Sequence, residues 1–302
     1  MKLRHVISAR QFNTKTLKQL FALTDKIKKG QYDKKALAGK IMATLFYEPS
    51  TRTRLSFESA MLKLGGSVIA TENAAEFSSA IKGESLEDTI RVVNFFSDVI
   101  VLRHPNPGSA QIASRYSKVP IINGGAGNGE HPTQALYDLY TIFSKFKNPD
   151  ITVAMMGDLL NGRTIHSLSR LLSLYPKIKQ TFISPKALSI PKDLRDILVE
   201  RNIKFIEIEN FEKGLEKANV IYQTRIQKER FARPKEYKKY FGKYIINLSS
   251  LKHLKKEAII MHPLPRVNEI AAEIDNDKRA YYFQQAQNGL FVRMALLLSL
   301  LI

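Results

Sequence analysis

The sequence predicts an α/β fold with two domains, each containing a mainly parallel sheet flanked by helices, and an active site in the cleft at the carboxyl ends of the strands. Apolar, often β-branched runs alternate with segments of helical period, which is typical of βαβ units. The chain has 302 residues and is 44% apolar, a size that suits two packed domains. We predict strands near 41–47, 67–71, 98–102, 119–122, 151–156, 180–183, 203–208, 219–223, 244–247 and 258–261.

The domain boundary is predicted along a helix that begins near Pro132 and runs to about Phe146. A glycine-rich segment, 123–129, leads into this helix, and 147–150 (Lys-Asn-Pro-Asp) breaks the chain before the next strand. We therefore expect one domain over 1–132 and a second over 133–284. The apolar helix 285–302 is expected to pack back on the first domain.

Composition restricts the classes of function. The chain has no Cys, no apolar run of about 18 residues and no stretch of signal-peptide type, so we expect a cytoplasmic protein without a membrane span. The six His residues share no metal-ligand spacing with acidic neighbours, so neither a metal nor another cofactor is predicted. Ser/His/Asp spacing of a recognised type is also missing, which leaves covalent catalysis unsupported.

The formal net charge is +19, from 47 Lys+Arg against 28 Asp+Glu. Such an excess of positive charge is compatible with binding of nucleic acid or of an anionic substrate. The lysines, however, are spread over predicted helix faces and loops without the interleaved aromatic residues of a base-stacking surface. We therefore expect no nucleic-acid partner, and keep a basic nucleic-acid-binding protein as the distant alternative.

The most informative segment is 50–54 (Ser-Thr-Arg-Thr-Arg), which opens a helix directly after the apolar run 41–47. The first amides of a helix are unpaired donors at the positive end of its dipole, and guanidinium groups match phosphate oxygens. A capped, solvated helix start would explain the hydroxyl residues but not two arginines. The segment therefore predicts a phosphate site.

Six unusual segments each follow a predicted strand, so all lie at carboxyl ends, where open α/β sheets bind their ligands. These segments are 50–54, 103–105, 131–134, 157–163, 225–227 and 262–266. The loop 157–164 has the spacing of a nucleotide phosphate loop but carries Arg163 in place of its lysine, so we reject nucleotide hydrolysis and favour capture of a carboxylate. Taken alone, that loop is no better than evenly divided between a ligand site and a structural turn, and the 262–266 turn alone would favour a structural role.

His131 precedes the proline that starts a helix, where a neutral imidazole could donate a hydrogen bond to a carbonyl oxygen. A histidine that only packs in the core or caps the helix is the commoner alternative. In the turn at 262–266, two prolines restrict the backbone, which leaves carbonyl groups directed above the sheet.

Five motifs in chain order resemble the aspartate/ornithine carbamoyltransferase family, and the match spans the chain. They are Phe46-x-Glu48-x-Ser50-Thr51-Arg52-Thr53-Arg54-Leu55-Ser56-Phe57-Glu58, Arg103-His104-Pro105, His131-Pro132-Thr133-Gln134, Gly157-Asp158 with Gly162-Arg163-Thr164, and His262-Pro263-Leu264-Pro265-Arg266. Pro263, where the ornithine enzymes typically carry Cys, together with the 224–229 segment and Lys82-Gly83-Glu84, favours the aspartate members. An acceptor such as ornithine is the nearest alternative.

The resemblance implies transfer of the carbamoyl group of carbamoyl phosphate to the amine of L-aspartate, an early step of pyrimidine synthesis, without a covalent intermediate. The domain over 1–132 would bind carbamoyl phosphate and that over 133–284 would bind aspartate. The residues implied for carbamoyl phosphate are Ser50, Thr51, Arg52, Thr53, Arg103, His131, Gln134, Pro263 and Leu264. Those implied for aspartate are Lys82, Arg163, Arg225 and Gln227. The implied catalytic residues are Arg52, Thr53, Arg103, His131, Gln134 and Lys82.

The resemblance also implies an assembly. In this family Ser78 and Lys82 belong to a loop that enters the neighbouring subunit's pocket, so the expected catalytic unit is a homotrimer with shared active sites. Some members also bind a separate zinc-containing regulatory chain, and the sequence leaves such a partner and allosteric control open.

Overall fold

The computed structural model of this protein describes residues 3–72, 83–127, 129–147, 150–227 and 237–302. Its contacts divide the chain into two compact units. Unit 1 comprises Met1–Tyr140 and Gln287–Ile302, and unit 2 comprises Thr141–Ala286. One division falls inside the helix predicted to carry the domain boundary, and the last helix is divided as well.

Nine strands and nine α-helices occupy the described residues. The strands are β1 Ile41–Phe46, β2 Ser67–Glu72, β3 Val99–His104, β4 Ile121–Ala126, β5 Thr152–Met156, β6 Lys179–Ile183, β7 Phe205–Ile208, β8 Val220–Gln223 and β9 Ile259–Met261. The helices are α1 Thr14–Lys28, α2 Thr51–Lys63, α3 Leu86–Val93, α4 Ser109–Tyr116, α5 Pro132–Lys145, α6 Arg163–Leu172, α7 Lys192–Glu200, α8 Phe211–Glu216 and α9 Tyr282–Leu301. Short 3-10 turns cover Ala9–Gln11, Lys186–Leu188, Ser250–His253 and Ala272–Asn276.

Unit 1 contains a four-stranded parallel sheet in the order β2-β1-β3-β4. The central strands β1 and β3 are buried over nearly their whole length, as expected for a parallel sheet covered on both faces. Their apolar side chains form a core with those of α3 and α4. The sheet order places the carboxyl ends of β1, β3 and β4 side by side.

Unit 2 contains a five-stranded parallel sheet in the order β7-β6-β5-β8-β9. Its core contains buried residues of β5, β8 and β9. The prediction of a strand over 244–247 is wrong, because Ile246 makes only an isolated bridge to Ile270. The apolar pair Ile245-Ile246 is too short to extend this bridge into a ladder, and Tyr244 before it has a positive φ of 59° that ends the extended conformation.

The structure confirms the predicted α/β fold with two mainly parallel sheets. The six predicted segments all lie at or beyond carboxyl ends of strands: three follow β1, β3 and β4 in unit 1, and three follow β5, β8 and β9 in unit 2. In each unit those strands are neighbours in the sheet. No helix within the described ranges is long and apolar enough to cross a membrane.

Candidate active site

The phosphate segment predicted from the sequence lies at the first turn of α2, immediately beyond β1. Ser50 is the N-cap residue, and its side chain makes no capping hydrogen bond. Thr51 and Arg52 are exposed, whereas Thr53 is buried. The turn therefore presents its amides, two hydroxyls and a guanidinium group without an internal cap, which is the arrangement of an anion site. Partial desolvation lowers the pKa of Arg52 from its usual value.

Arg54 is directed differently from Arg52. Its Nε lies 3.7 Å from an oxygen of Glu58, one helical turn further on. Glu58 in turn accepts a hydrogen bond from the Thr44 hydroxyl at 3.1 Å, within β1. The second arginine of the segment therefore connects α2 to the sheet, and Arg52 is the exposed guanidinium of this turn.

Arg103 lies at the carboxyl end of β3, between the ends of β1 and β4. Its Nη1 donates to the Gly124 carbonyl in β4 at 3.2 Å, and its Nε lies 3.5 Å from a Glu48 carboxylate oxygen just beyond β1. The guanidinium is largely buried, with 12% of the side chain exposed. These contacts orient a permanent positive charge at the edge of the sheet that also carries the α2 turn.

His131 and Gln134 flank the start of α5, and both are about 4% exposed. Pro132 is the first helical residue, a position that needs no amide donor. The Gln134 Nε2 donates to Asp138 at 2.9 Å, and its Oε1 accepts a hydrogen bond from the Tyr137 hydroxyl. The helix thus holds an imidazole and an oriented amide in a region of low exposure.

In unit 2, the loop after β5 is organised by Asp158, which is fully buried. Its carboxylate accepts hydrogen bonds from the Asn161 backbone at 3.0 Å and from the Asn161 side chain at 3.1 and 3.2 Å. Burial raises the pKa of this carboxyl, and these hydrogen bonds oppose that effect. The loop ends at Gly162, the N-cap of α6, so Arg163 is placed in the first turn of that helix.

The segment after β8 approaches the same loop. Arg225 and Gln227 are half-buried, and the Gln227 Nε2 donates to the Asn161 carbonyl at 3.3 Å. The Asp158 carboxylate also interacts with the Gln227 backbone. Asp158 therefore connects the two segments that carry Arg163 and Arg225.

The turn after β9 is held by the buried His262, which is 2% exposed. Its Nδ1 accepts a hydrogen bond from the Leu264 backbone at 2.8 Å, so the hydrogen on Nε2 is donated to Glu269, also at 2.8 Å. Leu264 has a positive φ of 53°. The histidine is thus a support for the Pro263–Leu264 backbone, and Arg266 at the end of the turn is paired with Asp275.

Two predicted site residues, Ser78 and Lys82, lie outside the described residues. Sequence reasoning also missed two groups that contact the predicted site residues, Tyr137 and Arg293, and it quoted Asp158 in a motif without giving it a role. One signal was available for Arg293, because it is the only charged residue in the apolar helix α9. Within the described ranges, no group of three or more His, Cys, Asp or Glu residues is arranged to hold a metal ion.

The chemistry of the two units differs. Unit 1 presents an uncapped helix start, Arg52, Arg103 and a histidine, which suits a small organic phosphate with a polar carbonyl group. Unit 2 presents Arg163 and Arg225 on two cross-linked segments, which suits carboxylates. Each unit therefore carries groups for one small acid.

The chain belongs to the aspartate/ornithine carbamoyltransferase family. The family's carbamoyl-P binding domain model matches residues 4–144, and its Asp/Orn binding domain model matches residues 149–300. A relative from Arabidopsis thaliana, named aspartate carbamoyltransferase, chloroplastic, is 50% identical over 100% of this chain and 78% of its own length.

Solved structures of similar proteins agree with this family. The catalytic subunit of M. jannaschii aspartate transcarbamoylase has a TM-score of 0.91 and 48% identity, and the match covers 99% of this chain and 98% of that one. Aspartate transcarbamoylase from Trypanosoma cruzi, in complex with carbamoyl phosphate and aspartate, has a TM-score of 0.92 and 39% identity, over 99% of this chain and 97% of the other.

Proposed function

We propose that this chain transfers the carbamoyl group of carbamoyl phosphate to the amine of L-aspartate, releasing N-carbamoyl-L-aspartate and phosphate. The observation that carries the proposal is the full-length membership in the family, with relatives named for aspartate at 48–50% identity. The complex of the Trypanosoma cruzi neighbour with both substrates supports the same reaction. The arginine-rich chemistry of both units matches a phosphate dianion and a dicarboxylate.

In unit 1 we assign the phosphate group to the α2 turn, where the hydroxyls and amides of Ser50, Thr51 and Thr53 and the Arg52 guanidinium act as donors. Arg103 would reach both the phosphate and the carbonyl oxygen of the carbamoyl group. The fixed position of its guanidinium, between Gly124 and Glu48, supports this role.

The developing negative charge on the carbonyl oxygen needs preorganised donors, and we assign Thr53, Arg103 and His131 to it. Donors that are already oriented and desolvated stabilise such a charge more than water does. The low exposure of Thr53 and His131 supports this assignment. The Gln134 amide, oriented by Tyr137 and Asp138, would accept from the carbamoyl NH2 group through its remaining lone pair.

In unit 2 we assign the two aspartate carboxylates to Arg163 and Arg225, with Gln227 assisting. The Pro263 and Leu264 carbonyls would accept from the carbamoyl NH2 group and from the incoming amine. The His262 hydrogen bond to the Leu264 backbone supports a fixed orientation of this turn.

The proposed reaction proceeds through a tetrahedral intermediate. The aspartate nitrogen forms a bond to the carbonyl carbon, the bond from that carbon to the phosphate oxygen breaks, and the proton lost by the amine leaves on the phosphate. No residue needs to become covalently modified. Holding the two reactants in place and stabilising the oxyanion are each worth several kcal/mol of the barrier.

The test is a steady-state assay of phosphate release from carbamoyl phosphate with L-aspartate, with L-ornithine or with neither. We expect release that depends on aspartate and yields N-carbamoyl-L-aspartate in equal amount. Release that depends on ornithine, or that is equal with and without an amine, would contradict the proposal.

We further propose that the chain works in the cytoplasm as a homotrimer whose active sites are completed by Ser78 and Lys82 of a neighbouring subunit. The lack of Cys supports an intracellular location. The M. jannaschii neighbour is named a catalytic subunit, and a zinc-containing regulatory chain is the corresponding partner to test. A mass measurement of this chain alone tests the homotrimer. The same measurement after adding a regulatory chain from a relative tests binding of that partner.

A further inference from the structure

The C-terminal helix α9 places a buried charge inside unit 1. Arg293 is 3% exposed, and its guanidinium lies over two aromatic rings, 4.8 Å from the Phe57 ring centroid and 5.2 Å from that of Tyr137. Phe57 belongs to α2 and Tyr137 to α5. Arg293 therefore contacts both helices that begin at the proposed carbamoyl phosphate site.

A buried arginine is costly unless its donors are satisfied and a counter-charge is near. Burial lowers the pKa of Arg293, while a hydrogen bond with Tyr137 and the charge of Asp138 oppose that effect. Asp138 is itself fully buried. The arginine and the aspartate thus form a pair of compensating charges behind the site residues.

From Arg293, one chain of hydrogen bonds leads to the α2 turn. Its Nη1 donates to the Ser56 hydroxyl. That hydroxyl lies 2.6 Å from the Arg52 carbonyl and 3.0 Å from the Thr53 carbonyl, and donates toward both. The backbone of the residues proposed to bind phosphate is therefore tied to α9 through one serine.

A second chain leads to Gln134. The Tyr137 hydroxyl bonds to Arg293 and donates to the Gln134 Oε1, while the Gln134 Nε2 donates to Asp138 at 2.9 Å. Because a carboxylate can only accept, the amide group has one chemically consistent orientation. Its oxygen then keeps one lone pair for another donor.

The packing around this network is tight. A Cβ added to Gly289 in α9 would lie 3.1 Å and 3.2 Å from two atoms of the Tyr137 ring and 3.3 Å from Nη1 of Arg293. Glycine at 289 lets α9 approach α5 closely. Gly289 therefore lies against one edge of the Tyr137 ring, next to the Arg293 guanidinium.

We propose that Arg293 and Tyr137 are positioning residues of the carbamoyl phosphate site, which act by orienting the Gln134 amide and the first turn of α2. This inference rests on the proposed function. Neither residue needs to contact a substrate. Their effect on the reaction passes through Gln134 on one side and through Ser56 on the other.

The test compares Tyr137→Phe with Tyr140→Phe. Both tyrosines lie on α5, both are buried, and both donate to a side-chain oxygen, since the Tyr140 hydroxyl bonds to Asp25 at 2.7 Å. For Tyr137→Phe we expect kcat to fall and the KM for carbamoyl phosphate to rise, so that kcat/KM drops about tenfold or more, with the KM for aspartate nearly unchanged. Tyr140→Phe is expected to keep all three constants.

The second comparison is Ser56→Ala with Ser114→Ala. Ser114 is also a helical serine, but among the described residues its hydroxyl bonds only within its own helix, to the Gln111 carbonyl. We expect Ser56→Ala to raise the KM for carbamoyl phosphate several-fold and Ser114→Ala to leave it unchanged. A thermal unfolding midpoint measured for each variant separates a loss of positioning from a loss of fold.

The outcomes are distinct. A drop in kcat/KM confined to Tyr137→Phe and Ser56→Ala supports the positioning role, whereas wild-type constants in both variants overturn it. Equal losses of kcat/KM in Tyr137→Phe and Tyr140→Phe also overturn it. In that case a general structural role of buried hydroxyl groups on α5 would explain both losses. A wild-type protein without aspartate-dependent phosphate release overturns instead the proposed function.

Discussion

Gly157 and Thr224 approach each other so closely that a side chain at 157 has no room: a Cβ built there would lie 2.2 Å from the Thr224 carbonyl oxygen. The Thr224 amide and hydroxyl both donate to the Met156 carbonyl at 2.9 Å. Gly157 also has a positive φ of 115°. The contact brings together the segments that carry Arg163 and Arg225.

We expect Gly157→Ala to lower the free energy of unfolding by about 1–3 kcal/mol more than Gly30→Ala does. Gly30 also has a positive φ, of 77°, but nothing lies within 4 Å of an added Cβ there. Both positions have a positive φ, which is larger at Gly157, so the difference combines the close approach with the greater backbone strain at Gly157. Denaturant unfolding of the two variants provides the measurement, and equal losses would contradict the steric explanation.

Arg52→Ala should lower kcat by about 10²–10³-fold, because it removes an exposed guanidinium from the proposed phosphate turn. Lys63→Ala, which removes a cation from the last turn of the same helix, serves as the control. We expect near wild-type kinetics for that variant. The measurement is kcat from steady-state phosphate release. Equal kcat values for the two variants would mean that Arg52 has no role in the reaction.

Arg225→Ala should raise the KM for aspartate by about 10- to 100-fold, which corresponds to the loss of charge-assisted hydrogen bonds. Binding of inorganic phosphate to unit 1 should be retained, which calorimetry can measure. The control is Arg201→Ala, whose guanidinium bonds to the Ser173 hydroxyl at 2.8 Å. An unchanged KM in the Arg225 variant would count against its role as a carboxylate clamp.

Glu269 should make stability depend on pH. Burial alone would raise the pKa of this carboxyl, but its hydrogen bonds, above all the one from His262, hold the pKa below the usual 4.5. The ionised group therefore stabilises the folded protein above about pH 4.5, and this contribution is lost as the pH falls through the lowered value.

The variant Glu269→Gln should accordingly be less stable than the wild type at pH 7 by about 1.5–3 kcal/mol. The difference should shrink as the pH is lowered below about 4.5. Glu273→Gln, at an exposed position in the same unit, is the control. A difference that stays constant between pH 7 and pH 4 would exclude the ionised Glu269 carboxylate as its cause.

Mixing two inactive variants tests the proposed sharing of active sites. Arg52→Ala and Lys82→Ala subunits, dissociated and reassembled together, should recover part of the activity, because hybrid trimers would contain some sites with both native residues. Native mass spectrometry confirms that hybrids form. Hybrids without recovered activity would mean that each site is built from one subunit.

Much of the fold was predictable because hydrophobic period and glycine or proline breaks are local signals. Nine of the ten predicted strands exist, with ends shifted by a few residues. The tenth, over 244–247, failed because only Ile246 is buried, through a single bridge to Ile270, and burial of one residue does not require a ladder. Hydrophobic periodicity in so short a segment cannot distinguish a strand of a sheet from a single isolated bridge.

The placement of the candidate site residues was predictable where they follow strands, since carboxyl ends of neighbouring parallel strands share one edge. The supporting residues were not. The motif that contains Asp158 does not reveal its contact with Gln227, and the contact of Arg293 with Ser56 joins residues far apart in the sequence. A sequence shows which side chains are present but not which of them meet.

The return of the C-terminal helix to unit 1 has a consequence for how the protein matures on the ribosome. Unit 2 is one continuous segment, Thr141–Ala286, whereas the earlier-made Met1–Tyr140 lacks the rest of unit 1 until Gln287–Ile302 has also been made. The Tyr137 ring cannot make its contact with Arg293 until residue 293 has been synthesised. During synthesis we therefore expect the internal contacts of unit 2 to become available before those of unit 1, although most of unit 1 is made first.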